Sequence, residues 1–257
     1  MIHPNQIKRR ADEDGLTAGS VERDYVLAHV LSAIVRQDER GQIVFKGGTA
    51  LRLCHFERYR YSADLDFSLI DGLESDAAHE LIENALRDCA ERVGFPLLRL
   101  SDASPPRIEY IGPLGAKPRS LKLDLADDEL VEDTTTLPII RRYDDQEPSS
   151  CLVYTLEEVA AEKLRCIMQR LQCRDLYDLA ELLVGREIDA QALWPAFERK
   201  ARHRGLDPDR FAERLDAREP EWQRRWEAEL GEYLIEPPPH FNELRRAVRR
   251  KLRFVLG

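Results

Sequence analysis

Residues 45–69 read FKGGTALRLCHFERYRYSADLDFSL and contain several local patterns in succession. A short β-rich run, IVF at 43–45, is stopped by Gly47 and Gly48. The apolar spacing of TALRLCHF after the glycines predicts a helix. In SADLDFSLI apolar and acidic residues alternate, which predicts a strand with Asp64 and Asp66 on one face. The expected order is therefore strand, glycine turn, helix and strand.

The acidic pair predicts a cation site. Two carboxylates on one strand face can reach the same Mg²⁺, an ion that also keeps contacts to substrate phosphates. For an isolated DLD, the alternative is a pair of acids that faces solvent on a surface strand and binds no metal. Here the pair follows Gly47 and Gly48, where main-chain N–H groups at a helix start can approach a triphosphate.

A third acid on a neighbouring strand would complete a two-metal site. The alternation in SLKLDL predicts such a strand and places Lys122 and Asp124 on one face. Asp127 and Asp128 follow where the alternation stops, and we interpret them as turn residues. Asp124 is therefore the favoured third carboxylate.

The rest of the chain divides at prolines. Apolar spacing predicts helices at 21–35, with Ser20 as the cap, and at 76–93, and a strand at 107–111. A capping box at Thr155 begins a wholly helical region, and a terminal amphipathic helix follows a run of three prolines. We expect two lobes, one spanning 1–150 and a helical one spanning 151–257.

Bulk properties restrict the class of protein. With 257 residues and 43% hydrophobic content the composition is globular, and no run is apolar enough to cross a bilayer. A cytoplasmic location and no membrane partner are expected. The five cysteines are scattered, which favours reduced thiols. The net charge is −9, but 241–257 is rich in arginine and is interpreted either as a solvated helix face or as a contact for a phosphate backbone, with Arg245, Arg249 and Arg250 named for that contact.

The stretch around the glycines and the DxD resembles the opening motif of the DNA polymerase β-like nucleotidyltransferases. It is more closely similar to the AbiEii toxin family of type IV toxin–antitoxin systems. The motifs that carry this resemblance occur in order over 21–183: VERDYVL, KGGTALRL, SADLDFS, KLDL, EEVAAEKLRCI and RDLYDLAELL.

The resemblance implies roles for individual residues. Asp64 and Asp66 match the metal ligands, and Lys163 and Asp175 match later catalytic motifs, with Asp178 and Arg174 beside them. Asp124 fits the third carboxylate of the wider superfamily. The expected nucleotide-binding set is formed by residues of the glycine turn and its neighbours: Lys46, Gly47, Gly48, Thr49 and Ser62.

Local chemistry leaves other roles open for two of these residues. Lys163 lies beside the apolar stripe of its helix, so its ammonium needs an anion, which is either a nucleotide phosphate or the carboxylate of Asp175 or Asp178. Lys46 either meets a phosphate or merely flanks a strand.

The resemblance also implies a fold and an activity. We expect an α+β protein with a mixed sheet flanked by helices and a helical C-terminal lobe. The implied activity transfers a nucleotide from an NTP, with Mg²⁺, to the 3′ end of tRNA, which blocks aminoacylation; an antitoxin partner is also implied. Two alternatives remain: a nucleotidyltransferase that acts on a protein or small molecule, and a catalytically silent binding module of the same fold.

Overall fold

The structure is a computed structural model that describes residues 1–115 and 117–256. The chain forms two compact units. The first comprises Met1–Asp128 and Thr134–Val153, and the second comprises Glu129–Asp133 and Tyr154–Gly257. The short segment Glu129–Asp133 thus belongs to the second unit although both of its flanks belong to the first.

The first unit is built on a mixed seven-stranded sheet with the strand order β3-β4-β5-β2-β1-β7-β6. Strand β2 pairs antiparallel with β1 and parallel with β5, so the strand that carries the DxD lies inside the sheet. This arrangement confirms the predicted α+β fold with a mixed sheet. The strands are β1 Ile43–Lys46, β2 Asp64–Leu69, β3 Leu97–Leu100, β4 Arg107–Ile111, β5 Arg119–Ala126, β6 Thr134–Pro138 and β7 Ser150–Tyr154.

Four helices accompany this sheet: α1 Pro4–Asp14, α2 Ala18–Gln37, α3 Gly47–Ala50 and α4 Ser75–Val93. Helix α2 starts earlier than the sequence predicted. Its cap is Thr17, whose side chain accepts a hydrogen bond from the Ser20 N–H, so the assignment of Ser20 as the cap was wrong. Ser20 instead occupies the N3 position, where its N–H needs an acceptor.

The glycine turn leads directly into helix. Helix α3 begins at Gly47 and continues into a π-helical turn, Leu51–His55. Thr49 and Leu51 are buried, as are Leu65 and Phe67 on the following strand, so the turn rests on the core of the unit. Phe67 packs against Phe45 of β1 with ring centroids 5.2 Å apart, which ties the two strands together on the apolar face.

The second unit is helical from residue 156 onward, as predicted. Thr155 accepts a hydrogen bond from the Glu158 N–H and caps the first of its helices. Trp222 and Trp226 are buried in the unit's interior, and Trp226 packs against Phe241 with ring centroids 5.3 Å apart. The helices are α5 Leu156–Gln169, α6 Cys173–Ala180, α7 Ala190–His203, α8 Phe211–Leu230, α9 Phe241–Lys251 and α10 Arg253–Leu256. Within residues 1–115 and 117–256, no helix has the length and apolarity that a membrane span requires.

Candidate active site

The register of three strands brings the acids of the first unit together. Asp66 of β2 lies opposite Asp124 of β5 and opposite Lys46 of β1, while Asp64 lies opposite Lys122. Asp64 and Asp66 are partly exposed, whereas Leu65 between them is buried. The predicted shared face of the DxD pair is therefore confirmed, and Asp124 is on the adjacent strand where a third carboxylate was expected.

Gly47 is required by both conformation and space. Its φ is +76°, in the left-handed region that side chains rarely adopt. A Cβ at this position would stand 2.6 Å from Oδ2 of Asp66. The turn therefore lets a carboxylate of the DxD lie directly against the main chain at the start of α3.

Gly48 makes room for a different charge. A Cβ there would collide with Nη2 of Arg60 and stand 3.0 Å from its Cζ. Arg60 is buried, with 3% of its surface exposed, and its Nη1 donates a hydrogen bond to the Tyr61 carbonyl. The space above Gly48 that we expected to face a phosphate is thus occupied by a guanidinium group.

The acids repel one another. Burial, and then the negative charges of Asp64 and Asp124, raise the pKa of Asp66 to about 6, against the opposing effect of Lys46. The metal-free site therefore carries uncompensated negative charge at neutral pH. A divalent cation would relieve this repulsion.

Asp124 differs from the other two acids. Its side chain is 53% exposed, and Oδ2 lies 3.1 Å from Nζ of Lys122 on the same strand. Among residues 1–115 and 117–256, no group of three or more His, Cys, Asp or Glu side chains is arranged to hold a metal. In this structure Asp124 is paired with Lys122 and is not grouped with Asp64 and Asp66 as a set of ligands.

The remaining predicted nucleotide-binding residues of this unit are largely covered. The Thr49 hydroxyl donates to the main-chain carbonyl of Asp64 and ties the turn to β2. Thr49, Ser62 and Lys46 are 1%, 6% and 5% exposed, respectively. Thr49 therefore holds the turn and the acidic strand in register.

The family-matched residues of the second unit form their own charged cluster. Nζ of Lys163 on α5 lies 2.8 Å from Oδ1 of Asp175 and 2.7 Å from Oδ2 of Asp178, both on α6. Arg170 also donates to Asp175, with Nε 2.7 Å from Oδ2. The anion that the sequence predicted for Lys163 was either a nucleotide phosphate or one of these carboxylates. In this structure the carboxylates of Asp175 and Asp178 supply it.

The cluster fixes the ionisation of Asp175. Burial would raise its pKa, but the charge of Lys163 and the bonds from Arg170 outweigh burial and lower the pKa to about 2. Asp175 is consequently a carboxylate throughout the neutral range. A group this acidic is suited to holding cations rather than to accepting a proton.

Sequence reasoning missed one residue of the site, Arg60, and one contact, the ion pair of Lys122 with Asp124. Arg60 lies in the irregular segment before β2, where no periodicity marks its direction. Lys122 was placed on the face of Asp124, but its ion pair with that acid was not anticipated. The alternation in SLKLDL was signal enough to expect it, because residues two apart on a strand are neighbours on one face.

Solved structures show what kind of fold carries this site. The nucleotidyltransferase toxin MenT4 from Mycobacterium tuberculosis H37Rv is 19% identical, with a TM-score of 0.67 over 99% of this chain and 90% of that one. JHP933 from Helicobacter pylori is 15% identical, with a TM-score of 0.56 over 94% of this chain and 93% of its own. At these identities the likeness establishes the fold alone, which is that of a nucleotidyltransferase.

The family follows from the sequence. A model of the family described as nucleotidyl transferase AbiEii toxin, type IV toxin–antitoxin system, matches residues 29–253. Because that match covers most of the chain, the protein belongs to the AbiEii family of nucleotidyltransferase toxins. No curated protein is significantly similar in sequence. The resemblance carried by the motifs is confirmed.

Proposed function

We propose that this protein transfers a nucleoside monophosphate from an NTP to the 3′ end of tRNA and thereby blocks aminoacylation. The observation that carries the transferase half is the pair Asp64 and Asp66 on β2, set against the glycine turn with Asp124 in register on β5. Family membership supports the toxin half, and with it a cognate antitoxin protein as partner.

The acidic face of β2 fits a Mg²⁺ ion. Its oxygen donors are of the kind that Mg²⁺ prefers, and the charges of Asp64 and Asp124 contribute, after burial, to the raised pKa of Asp66. Asp64 and Asp66 would hold the ion, and Asp124, which pairs with Lys122 in this structure, would be the third ligand that a second ion needs. When bound, Mg²⁺ neutralises charge on the triphosphate and on the attacking oxygen.

The glycine turn would hold the triphosphate. Main-chain N–H groups at the start of α3, those of Gly48 and Thr49, face no competing side-chain cap. Lys46, opposite Asp66, and Ser62, just before the DxD, would complete the nucleotide side of the site. The buried hydroxyl of Thr49 contributes by keeping the turn on β2.

Lys163 would neutralise charge that develops on the transferred phosphate. Asp175 and Asp178 hold its ammonium in place from two sides. Because Asp175 is so acidic, we assign it to positioning Lys163. Orientation of the acceptor hydroxyl is assigned to Asp124, which is exposed and lies beside the metal ligands.

The tRNA acceptor is supported by exposed arginines of the second unit. Arg246 and Arg250 are one turn apart on the exposed face of α9, and Arg253 follows in α10. Among the described residues, none of the three forms an ion pair with an acid. Arg245 and Arg249, which the sequence also suggested for this role, instead bind Glu219 of α8. Unpaired arginines on one face suit a phosphate backbone.

The decisive experiment offers each α-labelled NTP with Mg²⁺ and total tRNA. The wild type is compared with the Asp64→Ala, Asp66→Ala variant, and with Asp127→Ala, Asp128→Ala as a matched control. The control removes the same charge from the bend after β5, where Asp127 accepts a hydrogen bond from Ser75. We expect label on tRNA from the wild type and the control only.

The other outcomes separate the alternatives. Mg²⁺-dependent NTP binding without label on tRNA would move the acceptor to a protein or small molecule. No binding of any NTP would leave a silent binding module of the same fold. If the Asp64→Ala, Asp66→Ala variant still labelled tRNA, the assignment of Asp64 and Asp66 as metal ligands would be refuted.

A further inference from the structure

The two glycines of the turn accommodate opposite charges. Gly47 leaves room for the carboxylate of Asp66, and Gly48 leaves room for the guanidinium of Arg60. The turn is therefore held between an anion and a cation of its own chain. Only the anionic neighbour has a role in the chemistry described above.

The position of Arg60 is specific. Its guanidinium lies against the main chain at Gly48, the second residue of α3, where the absence of a side chain leaves room for it. Only 3% of Arg60 is exposed, so its charged guanidinium is largely removed from solvent. Its Nη1 donates to the Tyr61 carbonyl at 3.1 Å, and Cζ is 5.8 Å from the Tyr59 ring centroid.

That place is close to the groups proposed to bind phosphate. The guanidinium lies against Gly48, whose N–H is one of the groups at the beginning of α3. A positive charge beside these groups favours an anion there and offsets the negative charge of Asp66 on the other side of the turn. A guanidinium presents several N–H donors in one plane, whereas the ammonium of lysine is a compact point charge, so lysine should replace Arg60 only in part.

We propose that Arg60 is a positioning residue for the nucleoside triphosphate: it fixes the Gly47–Gly48 turn so that its N–H groups receive the phosphates. The inference rests on the proposed nucleotide site but not on the identity of the acceptor. It explains why position 48 is glycine, since any larger residue would displace the guanidinium.

The test measures direct binding of a fluorescent NTP in Mg²⁺, together with melting temperature. Arg60→Ala is expected to weaken NTP binding by about ten- to a hundredfold, the range for loss of a charge-assisted interaction. Arg58→Ala is the matched control, because Arg58 lies in the same loop but is exposed. It should change NTP affinity by no more than about twofold.

A double-mutant cycle tests whether Gly48 and Arg60 act together. Gly48→Ala should weaken binding strongly while Arg60 is present, and should add little in the Arg60→Ala background. Arg60→Lys keeps the charge and should bind at an intermediate level, which also covers the case that Arg60→Ala does not fold. A lower melting temperature with unchanged NTP affinity for Arg60→Ala or Arg60→Lys would overturn the proposal.

The outcomes distinguish this inference from the proposed function. If the wild type binds NTP and tripolyphosphate but labels no tRNA, the acceptor is wrong and the role of Arg60 stands on its binding data. If the wild type binds neither probe, the nucleotide site and the role of Arg60 both fail. Additive losses in the Gly48 and Arg60 variants would show that the two residues act separately and would count against the proposal.

Discussion

At the scale of single residues, the role in transfer that we propose for Lys163 can be separated from its structural role. Its ammonium neutralises two buried acids, so Lys163→Met leaves Asp175 and Asp178 without their shared cation. Loss of one partner from a buried pair costs about 3–5 kcal/mol. We expect that loss of unfolding free energy in urea titrations, together with loss of nucleotide transfer under conditions where the variant is folded.

Lys200 provides the matched control for this prediction. It is equally buried and binds Glu158 and the Leu130 carbonyl, but it matches no catalytic motif. Lys200→Met should destabilise the protein by a similar amount and retain transfer when folded. Equal loss of activity in the two folded variants would assign Lys163 to structure alone.

Asp66 should destabilise the metal-free protein. Its pKa is about 6 in the fold against an ordinary 3.8, so the cost of ionisation is absent well below pH 3.8, grows between pH 3.8 and 6, and is complete above pH 6. The difference corresponds to about 3 kcal/mol at most. Asp66→Asn should therefore raise the unfolding free energy at pH 7.5 in EDTA, by an amount that becomes small at pH 4.

Urea titrations at the two pH values, with Asp102→Asn as an exposed control, measure this effect. Mg²⁺ should stabilise the wild type and the control but not Asp66→Asn, because the ion needs the carboxylate. A destabilising Asp66→Asn substitution at pH 7.5 would mean that bonds to the carboxylate outweigh the repulsion.

At the scale of elements, the spacing of apolar residues predicted the helices and strands whose formation depends on residues close in sequence. The predicted helix at 76–93 and strand at 107–111 agree closely with α4 and β4, because each buries a regularly spaced apolar face. The alternation around Asp64 placed both acids on one face of β2. In both cases the periodicity of side-chain direction carries the information.

Other features depend on partners that are distant in the chain. Strand β7, SCLVY, is a short apolar run whose pairing with β1 spans about a hundred residues, and no period marks it. The direction of Arg60 is set by Gly48, and the register of Asp66 on Asp124 is set by strand pairing. The spacing of residues in the sequence could identify the glycines and acids, but it could not predict which side chains meet them in the fold.

The proposed contact of helix α9 with tRNA can be tested by its salt dependence. Arg246 and Arg250 on its exposed face are expected to contact the tRNA backbone, so replacing both by Ala should lower the slope of log affinity against log salt by up to about two. The slope is measured by tRNA binding at several salt concentrations. Arg210→Ala with Arg224→Ala is the control, since these exposed arginines pair with Glu213 and Glu221.

Loss of tRNA affinity with an unchanged salt slope, or an equal change in the control, would show that α9 does not meet phosphates. NTP binding should be unaffected in both variants. This readout separates a failed tRNA surface from a failed nucleotide site.

At the scale of the whole molecule, the chain path joins the two units through Glu129–Asp133. This segment interrupts the sequence of the first unit yet serves the second, where Leu130 and Glu132 bind Lys200 and Glu158 through main-chain groups. The second unit is therefore completed by residues that lie between two strands of the sheet. Neither unit is a continuous piece of sequence.

Glu129 should therefore stabilise the second unit from a position in the middle of the first. Its carboxylate lies 2.8 Å from Arg204 and 3.5 Å from the largely buried Arg165, so Glu129→Ala leaves a buried guanidinium short of an acceptor. A loss of about 1–3 kcal/mol is expected. Native-state hydrogen exchange should show it in the amides of α5 and α7, while those of β2 and β5 keep their protection.

Glu213→Ala is the control, because the Arg210–Glu213 pair is exposed and its loss should change stability by less than about 0.5 kcal/mol. If Glu129→Ala lowered protection equally in the sheet and in the helices, the two units would unfold as one. Loss confined to the helices would show that the inserted segment stabilises only the unit it completes, and that the sheet carrying Asp64 and Asp66 has a stability of its own.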